Sequence, residues 1–486
     1  MSKNKKSDHP EKEKTENKTA RKSDAKNRST TNQPELKSIK SKLLARGASL
    51  LGVGMKSTAK AAGVAIEAAF SDKARRKELY DAFFLDRVKN LVSEMEQLKG
   101  GVMKAGQMLS VYGEHFLPDE INSVLKKLQS DSRPVSFEQM ERVMVRSLGK
   151  ELYGRIDLDP TPVGAASMGQ VYRGRLDGKD LVFKVQYPGV AKSIDSDLKA
   201  LRTLLSMSKI IPNMKQFDEI FAEVKTMLHK EADYARELKS LEKYRELIET
   251  IPSLSLPKGY PEYSGKRVIC MDYVEGIRLD DERVKNLPLD RRNALGASLL
   301  TLLFHEIFDW QIVQTDPHIG NFLVQLKEDG FSDDKIVLLD FGAVRKLPNK
   351  YVDPFRRMAL AAVNENGNDI VNVASEMGFI REDDPEKMKD LFTAIVLKAT
   401  SPFQKKSEGS SLDGSSMEPH EWDWGDGSLV DELSAMGKDA IFSFKLRPPP
   451  REAVFVDRKL VGTATILKML KVKFGPRKLA LKFLEA

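Results

Sequence analysis

The sequence predicts an α+β protein in which a small antiparallel sheet lies between a helical region and a mostly helical second half. Three observations indicate this fold class. Residues 38–149 repeat apolar side chains every three or four positions, which is typical of helices. Residues 150–187 change to alternation around an Asp177-Gly178 hairpin signal. A short apolar strand, "KIVLL", then interrupts the later helices.

Composition limits the classes of function. The chain has 486 residues, enough for two or three structural units, and its net charge of +8 favours an anionic partner. The single cysteine, Cys270, excludes an intramolecular disulfide and a cysteine zinc site. The sequence contains no apolar run of about twenty residues, so no membrane-spanning helix is predicted. The basic residues are spread out or confined to the tail, so we do not expect a nucleic-acid partner.

The chain opens with a segment that we interpret as a disordered basic tail, residues 1–37. Its first 35 residues contain no Val, Ile, Leu, Phe, Tyr or Trp, so no secretory signal is predicted. Acidic residues mixed with the lysines argue against a transit peptide. The predicted location is therefore the cytoplasm, with any membrane association peripheral. The helical unit of residues 38–149 follows the tail.

Residues 150–276 are predicted to form a small sheet with inserted helices. In the last strand of the hairpin, Val182, Lys184 and Gln186 share one face, so Lys184 projects in a fixed direction. A long helical stretch, Ser193 to Thr250, leads to a further strand, "KRVICMDYVEG", which ends in a loop. The sequence thus places a lysine on a strand with helices close by.

The second half divides into three predicted segments. Residues 277–400 are mostly helical, and Ser401–Gly427, rich in Ser, Gly and acidic residues, is predicted to be an exposed insertion with little structure. Residues 428–486 are predicted to be helical. They include the basic amphipathic stretch "ILKMLKVKFGPRKLALKFL", for which a helix packed on the domain is favoured over a membrane-surface helix.

The stretch "QTDPHIGNFL" combines polar residues with apolar neighbours. Asp316 and Asn321 are five positions apart, the spacing of a phosphoryl-transfer site with a catalytic Asp and a metal-binding Asn. Alone, this spacing also fits a capped turn. Nineteen residues later an apolar strand ends in Asp340-Phe341-Gly342. Together these residues predict that Asn321 and Asp340 hold Mg²⁺ while Asp316 orients or deprotonates an acceptor.

Lys184 matches the strand lysine that contacts nucleotide phosphates in such sites, and it needs an acidic partner. In a helix predicted over Gln216–Leu241, Glu231 lies on the apolar stripe, where an unpaired carboxylate is costly. We therefore predict that Glu231 pairs with Lys184, with a tolerated glutamate at the edge of the stripe as the alternative. Asp233 lies roughly 200° around the same helix and is expected to serve a different partner.

Two features depart from ordinary protein kinases. The loop that covers the phosphates reads "PVGAASMGQVYRG", with Ala165, Ala166 and Ser167 in place of glycines, so nucleotide binding is expected to be altered. "VQTD" replaces the usual His-Arg pair before the catalytic Asp. Upstream, "MKAGQM" places Lys104 and Gln107 on one helix face, which by itself favours helix packing with solvated polar residues.

Taken together, these motifs resemble the UbiB/AarF family of atypical protein-kinase-like proteins. The resemblance rests on "KAGQ", "GAASMGQVY", "EAD", "DPHIGN" and "DFG", and it covers roughly Leu85 to Leu360. It implies a two-lobed protein-kinase-like fold with an N-terminal helical extension over the cleft. Residues 150–276 would form the N-lobe and residues 277–400 the C-lobe.

The resemblance also implies function. In such proteins the Lys104 and Gln107 motif blocks a protein substrate, and Asp233 or a neighbouring carboxylate would pair with Lys104. ATPase or small-molecule kinase activity is then favoured over protein phosphorylation, with ATP or ADP and Mg²⁺ as cofactors. The family is associated with isoprenoid quinone (ubiquinone) biosynthesis and lipid homeostasis at membranes. Gly164 replaces the first alanine of the usual triplet, which is expected to shift nucleotide preference toward ATP.

The expected function is therefore that of a Mg·ATP-dependent ATPase or small-molecule kinase. The expected partners are a nucleotide, an anionic or quinone-pathway lipid, and proteins of a quinone-biosynthesis complex. The alternatives are a nucleotide-binding regulatory scaffold and, less favoured, a protein kinase. The residues expected to bind the nucleotide are Lys184, Ala165, Ala166, Ser167, Asp272 and Val274.

Overall fold

The computed structural model describes most of the chain from Val135 onward. The described residues are 105–106, 108–109, 135–166, 168–208, 214–327, 334–405, 422–444 and 450–486. The predicted tail, most of the predicted helical extension, Lys104, Gln107 and Ser167 lie outside them. The domain boundaries drawn from the sequence stay predictions.

Helices dominate the second half, and short strands connect them. The helices, numbered from Phe137, are α1 (Phe137–Leu148), α2 (Lys150–Gly154), α3 (Val190–Ser208), α4 (Met214–Glu231), α5 (Tyr234–Leu247), α6 (Glu282–Lys285), α7 (Leu289–Phe304), α8 (Asn349–Val363), α9 (Gly367–Glu376), α10 (Glu386–Ala399), α11 (Ser428–Phe444), α12 (Arg451–Leu470) and α13 (Arg477–Leu484). The strands are β1 (Asp157–Ala166), β2 (Gly169–Leu176), β3 (Lys179–Gln186), β4 (Leu254–Ser255), β5 (Val268–Asp272), β6 (Ile277–Arg278), β7 (Ile312–Gln314), β8 (Phe322–Gln325), β9 (Lys335–Leu338), β10 (Val344–Lys346), β11 (Trp422–Asp423) and β12 (Lys473–Phe474).

The first sheet is antiparallel, with strand order β1-β2-β3-β5. The predicted hairpin is confirmed: Asp177 and Gly178, with φ of 52° and 77°, connect β2 to β3. Lys184 lies in the middle of β3, between Val171 of β2 and Ile269 of β5. A lysine on an inner strand is held by pairing on both sides, so its direction is fixed.

Three further sheets belong to the second half of the described residues, and two of them lie beside the polar motifs. One has strand order β4-β9-β8-β6, and in it β8 and β9 run antiparallel with Phe322 opposite Leu338. The other pairs β7 with β10, with Gln314 opposite Val344. β7 ends just before the loop of Asp316 and Asn321, and β10 begins just after Asp340-Phe341-Gly342. The β7–β10 pair therefore fixes where these two polar loops leave the core.

The C-terminal helices pack on this core. Leu467 and Leu470 of α12 are fully buried, and Phe483 of α13 is nearly so. They join one apolar cluster with Leu299 and Leu303 of α7. Burial of these side chains supports the packed alternative for the basic C-terminal stretch. No helix within the described residues is long and apolar enough to cross a membrane.

The structure contradicts one prediction of secondary structure. The helix expected over Gln216–Leu241 is broken, because Asp233 caps a new helix by accepting a hydrogen bond from the Arg236 backbone N–H. The two ends of the insertion expected over Ser401–Gly427 carry short elements, and Trp424 is buried against the helical core. Residues 406–421 lie outside the described residues, so the exposed insertion stays a prediction there.

Candidate active site

Lys184 is the centre of a buried cluster of charges. Its Nζ lies 2.5 Å from Glu237 Oε1 and 3.2 Å from Asp340 Oδ2. The Lys184 side chain is 9% exposed and that of Glu237 is 4% exposed. The ring of Tyr234 adds a face 5.6 Å from the ammonium. The strand lysine is thus held between a helix carboxylate and the Asp that follows β9.

The prediction that Glu231 pairs with Lys184 is wrong, because the ion pair goes to Glu237. The break before α5 resets the helical phase, so the inward carboxylate comes from the first turn of the new helix. Gln186 of β3 fixes this junction, since its amide donates to the Ala232 carbonyl at 2.9 Å. Glu231 instead lies beside Gly342, where a Cβ atom on the glycine would come 3.4 Å from Glu231 Cγ.

Among the described residues, the cluster contains the Lys184 ammonium and the carboxyl groups of Glu237 and Asp340. Burial raises the pKa of the Glu237 carboxyl to about 7, against the opposing effect of Lys184. Burial alone would lower the pKa of the Lys184 ammonium, but Asp340 and Glu237 outweigh it and that pKa lies well above its usual value. Lys184 is therefore charged in the folded chain.

Asp340 is held in place from two sides. Its Oδ1 accepts a hydrogen bond from the Gly342 backbone N–H at 2.9 Å, while Oδ2 faces Lys184. Arg236, in the first turn of α5, donates to the carbonyls of Gly342 and Val344 at 3.2 and 2.6 Å. The turn after β9 is therefore anchored to the same helix that supplies the partner of Lys184.

The β8–β9 pairing brings Asn321 next to Asp340. Asn321 immediately precedes β8, and its carbonyl accepts a hydrogen bond from the Leu339 N–H at 3.0 Å. The Asn321 side-chain amide donates to the Asp316 carbonyl at 2.9 Å. One amide and one carboxylate at the ends of adjacent strands are hard oxygen donors, as Mg²⁺ prefers. This donor set fits the predicted metal.

Asp316 lies in the loop that follows β7. Gln314 donates to the carbonyls of Asp316 and Asp340, at 2.9 and 3.5 Å, and so joins the two loops. Asp316 Oδ1 accepts a hydrogen bond from Arg458 of α12 at 2.9 Å. His318 shapes the loop, because its Nδ1 accepts a hydrogen bond from the Gly320 N–H at 3.0 Å. This contact agrees with a structural role for that histidine.

The alanine-rich segment is more regular than a loop. Ala165 and Ala166 belong to β1 and pair with Gln170 and Gly169 of β2. Gly169 needs to be glycine, because a Cβ atom there would lie 2.2 Å from the Val185 carbonyl oxygen. The hairpin tip is therefore pressed against β3, one residue from Lys184. A role in binding nucleotide stays a prediction for these residues.

The two remaining predicted nucleotide-binding residues lie where the chain leaves the first sheet. Asp272 ends β5, and its carboxylate accepts hydrogen bonds from the Tyr260 hydroxyl at 2.8 Å and the Lys258 N–H at 3.2 Å. Val274 follows in the segment that connects β5 to β6 of the second sheet. The Asp272 side chain is thus used within the protein, and a role for Asp272 and Val274 in binding nucleotide stays a prediction.

Sequence reasoning missed three residues of the site. Glu237, Arg236 and Arg458 contact Lys184, the turn after β9 and Asp316 respectively. For the first two a signal existed, because Asp233 is a residue type that starts helices and would have placed both in a first turn. Arg458 carried no local signal, since it lies 142 residues from its partner.

Residues 127–374, just over half of the chain, match the ABC1 atypical kinase-like domain. The chain is also 30% identical over 424 residues to the mitochondrial atypical kinase COQ8 of Saccharomyces cerevisiae, covering 87% of this chain and 80% of the yeast protein. The chain belongs to the ABC1 atypical kinase-like family. The resemblance to the UbiB/AarF family is thereby confirmed.

A second relative and a solved structure are also similar to this chain. The probable serine/threonine-protein kinase abkA of Dictyostelium discoideum is 28% identical over 407 residues, covering 81% of this chain and 70% of that protein. The complex of Rv3197 with erythromycin, from Mycobacterium tuberculosis, superposes with a TM-score of 0.57 at 22% identity, covering 84% of this chain and 98% of that one. The two-lobed, kinase-like α+β fold is confirmed.

Proposed function

We propose that this ABC1-family chain binds Mg·ATP and either hydrolyses it or transfers phosphate to a small molecule. The observation that carries the proposal is the buried Lys184 on β3, in contact with Glu237 and Asp340 beside Asn321. In phosphoryl-transfer enzymes a strand lysine contacts the α- and β-phosphates and a helix glutamate holds it extended. The same residue types occur here in the same arrangement of strand, helix and loop.

Each group in the cluster has a chemical task in this proposal. A phosphate oxygen offers Lys184 the kind of ionic contact that Asp340 provides in this structure. Asn321 and Asp340 would hold Mg²⁺, which neutralises the charge of the phosphates. Asp316 orients or deprotonates the attacking hydroxyl or water, since its carboxylate lies in the same loop as the proposed metal ligand Asn321.

The proposed acceptor is water or a small molecule. The resemblance implies that the motif of Lys104 and Gln107 blocks a protein substrate, with Asp233 or a neighbouring carboxylate as the partner of Lys104. Asp233 already accepts the helix-capping hydrogen bond from Arg236. Support for a role in isoprenoid quinone biosynthesis, or in lipid homeostasis at a membrane surface, comes from the resemblance and from relatives that carry the name COQ8. An anionic or quinone-pathway lipid and proteins of a quinone-biosynthesis complex are the proposed partners.

A second candidate function is a regulatory scaffold that binds nucleotide without turnover. One contact favours it: the carboxylate of Asp316 is engaged by the guanidinium of Arg458, 2.9 Å away. A base held by a cation is weaker than one that faces water alone. The intact pair of predicted metal ligands, Asn321 and Asp340, favours turnover.

The test is Mg²⁺-dependent ATP hydrolysis by the purified chain, with and without vesicles that contain an anionic lipid. Asp340→Asn removes the carboxylate that would bind Mg²⁺. Asp431→Asn is the matched control, because this aspartate of α11 is 77% exposed and pairs only weakly with Lys468 at 3.5 Å. ATP binding is measured in parallel by calorimetry.

The expected result is turnover by the wild-type chain and by Asp431→Asn, with loss of about a hundredfold or more in Asp340→Asn. A rise in turnover with anionic vesicles supports a membrane-surface role. ATP binding without turnover under all conditions would move the conclusion to the regulatory scaffold. Absence of ATP binding would reject both functions.

A further inference from the structure

The loop of Asp316 lacks a cation of its own. Between Asp316 and Asn321 the sequence is Pro-His-Ile-Gly, with no Lys or Arg. The cation comes instead from α12: Arg458 Nη2 lies 2.9 Å from Asp316 Oδ1, and the two side chains are 16% and 13% exposed. A charge-assisted hydrogen bond with so little exposure to water fixes the position of both groups.

Two further contacts hold α12 against the same region. Lys459 Nζ lies 2.7 Å from Glu306 Oε2, in a pair that is 3% and 0% exposed. Gly462 lets the helix approach the loop, because a Cβ atom there would come 2.1 Å from Pro317 Cγ. Arg458 and Gly462 are four residues apart, so they share the helix face that meets the loop. The position of Arg458 is therefore set by packing on both sides.

Glu306 links the packing of α12 to the loop that contains Asp316 and Asn321, called the catalytic loop below. Its Oε1 accepts hydrogen bonds from the Tyr244 hydroxyl at 2.9 Å and from the Gln314 backbone N–H at 3.3 Å. Gln314 in turn donates to the Asp316 carbonyl. The helix that carries Arg458 is thus joined to the loop through the buried Lys459–Glu306 pair as well as directly.

We propose that Arg458 is a positioning residue that holds the Asp316 carboxylate in the orientation that phosphoryl transfer needs. It supplies from the C-terminal helix the cation that the catalytic loop lacks. The inference rests on the proposed function, because it gives Arg458 a task only if Asp316 acts on an acceptor. It makes α12 a part of the catalytic apparatus and more than a cover for the core.

The first test compares Arg458→Gln and Arg458→Lys in the full chain, with Lys468→Gln as a control on the same helix. Because Arg458 acts through Asp316, we expect Arg458→Gln to lower kcat about tenfold or more and to change ATP affinity by less than about twofold. Arg458→Lys, which keeps the charge, should recover part of kcat. Lys468→Gln should match the wild type. A folded Arg458→Gln chain with wild-type kcat would overturn the inference and leave the proposed function standing.

A second measurement does not depend on turnover. Hydrogen exchange of the peptide spanning residues 314–323 reports how firmly the catalytic loop is held. Arg458→Gln is expected to speed exchange there about tenfold, with little change in the peptides of α7. Unchanged exchange in the loop would refute the inference. If the wild-type chain shows no turnover, the proposed function fails by itself, and the loop exchange alone then decides whether Arg458 positions Asp316.

Discussion

Replacing Lys459 by Met removes the cation from the most deeply buried ion pair of the described residues. Glu306 is 0% exposed and Lys459 3% exposed, at a separation of 2.7 Å. Removing one partner of a buried pair costs about 3–5 kcal/mol, because the other charge is left without compensation. Glu306 keeps its hydrogen bonds from Tyr244 and Gln314, which places the expected loss near the lower end of that range.

The loss of stability in Lys459→Met should depend on pH. Burial raises the pKa of Glu306 above its usual value even though Lys459 opposes the shift. A carboxyl whose pKa is higher in the folded chain than in the unfolded chain costs stability as the pH rises through that pKa. Without Lys459 the pKa rises further. The loss in Lys459→Met should therefore be larger at about pH 8 than at about pH 5.

Thermal and urea unfolding measure the effect. A loss of about 3 kcal/mol lowers Tm by roughly 4 °C, since an unfolding entropy of about 2.1 cal/mol/K per residue makes the shift smaller in a larger protein. The double variant Lys459→Met with Glu306→Gln should recover most of the stability, because no charge remains buried. Unfolding of Lys459→Met within about 1 kcal/mol of wild type, or an equal loss at both pH values, would refute the assignment of a charged, buried pair.

Three other substitutions test the site. Glu237→Gln should weaken ATP binding about tenfold, since it removes a charged hydrogen bond to the strand lysine, whereas Glu231→Gln should change it less; calorimetry giving the reverse order would contradict the geometry. Gly164→Ala adds a Cβ atom with nothing within 4 Å, so unfolding should stay within about 0.5 kcal/mol of wild type while the ratio of ADP to ATP affinity rises; an unchanged ratio would reject a role for this position in nucleotide preference. Gly462→Ala would place a Cβ atom 2.1 Å from the proline ring of the catalytic loop and should cost about 1–3 kcal/mol and lower turnover, whereas Gly437→Ala, in open space on α11, should be neutral or stabilising; equal melting temperatures for the two variants would show that α12 does not press on the loop.

Much of the site could be predicted from local sequence. Alternation predicts that Lys184 lies on a strand, and an apolar run predicts the strand before Asp340. Both depend on neighbours a few positions away, since a strand repeats every two residues and a turn needs a glycine or an aspartate at a set place. The spacing of Asp316 and Asn321 predicted one loop for both, and the Asn321 amide does bond to the Asp316 carbonyl.

The partner of Lys184 could not be chosen in the same way. The apolar stripe of one continuous helix favours Glu231. The helix is interrupted for two residues before α5, and because of this break Glu237 faces Lys184 instead. Helical phase accumulates about 100° for each residue, so a break changes every later side-chain direction. The choice between two carboxylates six positions apart was therefore sensitive to one capping residue, Asp233.

By itself the sequence determined the family, the strand lysine and the motifs with Asp316, Asn321 and Asp340, because each depends on residue types at short, fixed spacings. Only the tertiary structure decided that Glu237 pairs with Lys184 and that Arg458 reaches Asp316 from 142 residues away. Contacts of that separation depend on how helices pack and where they break. Packing responds to the volumes of the whole core, which no local pattern contains.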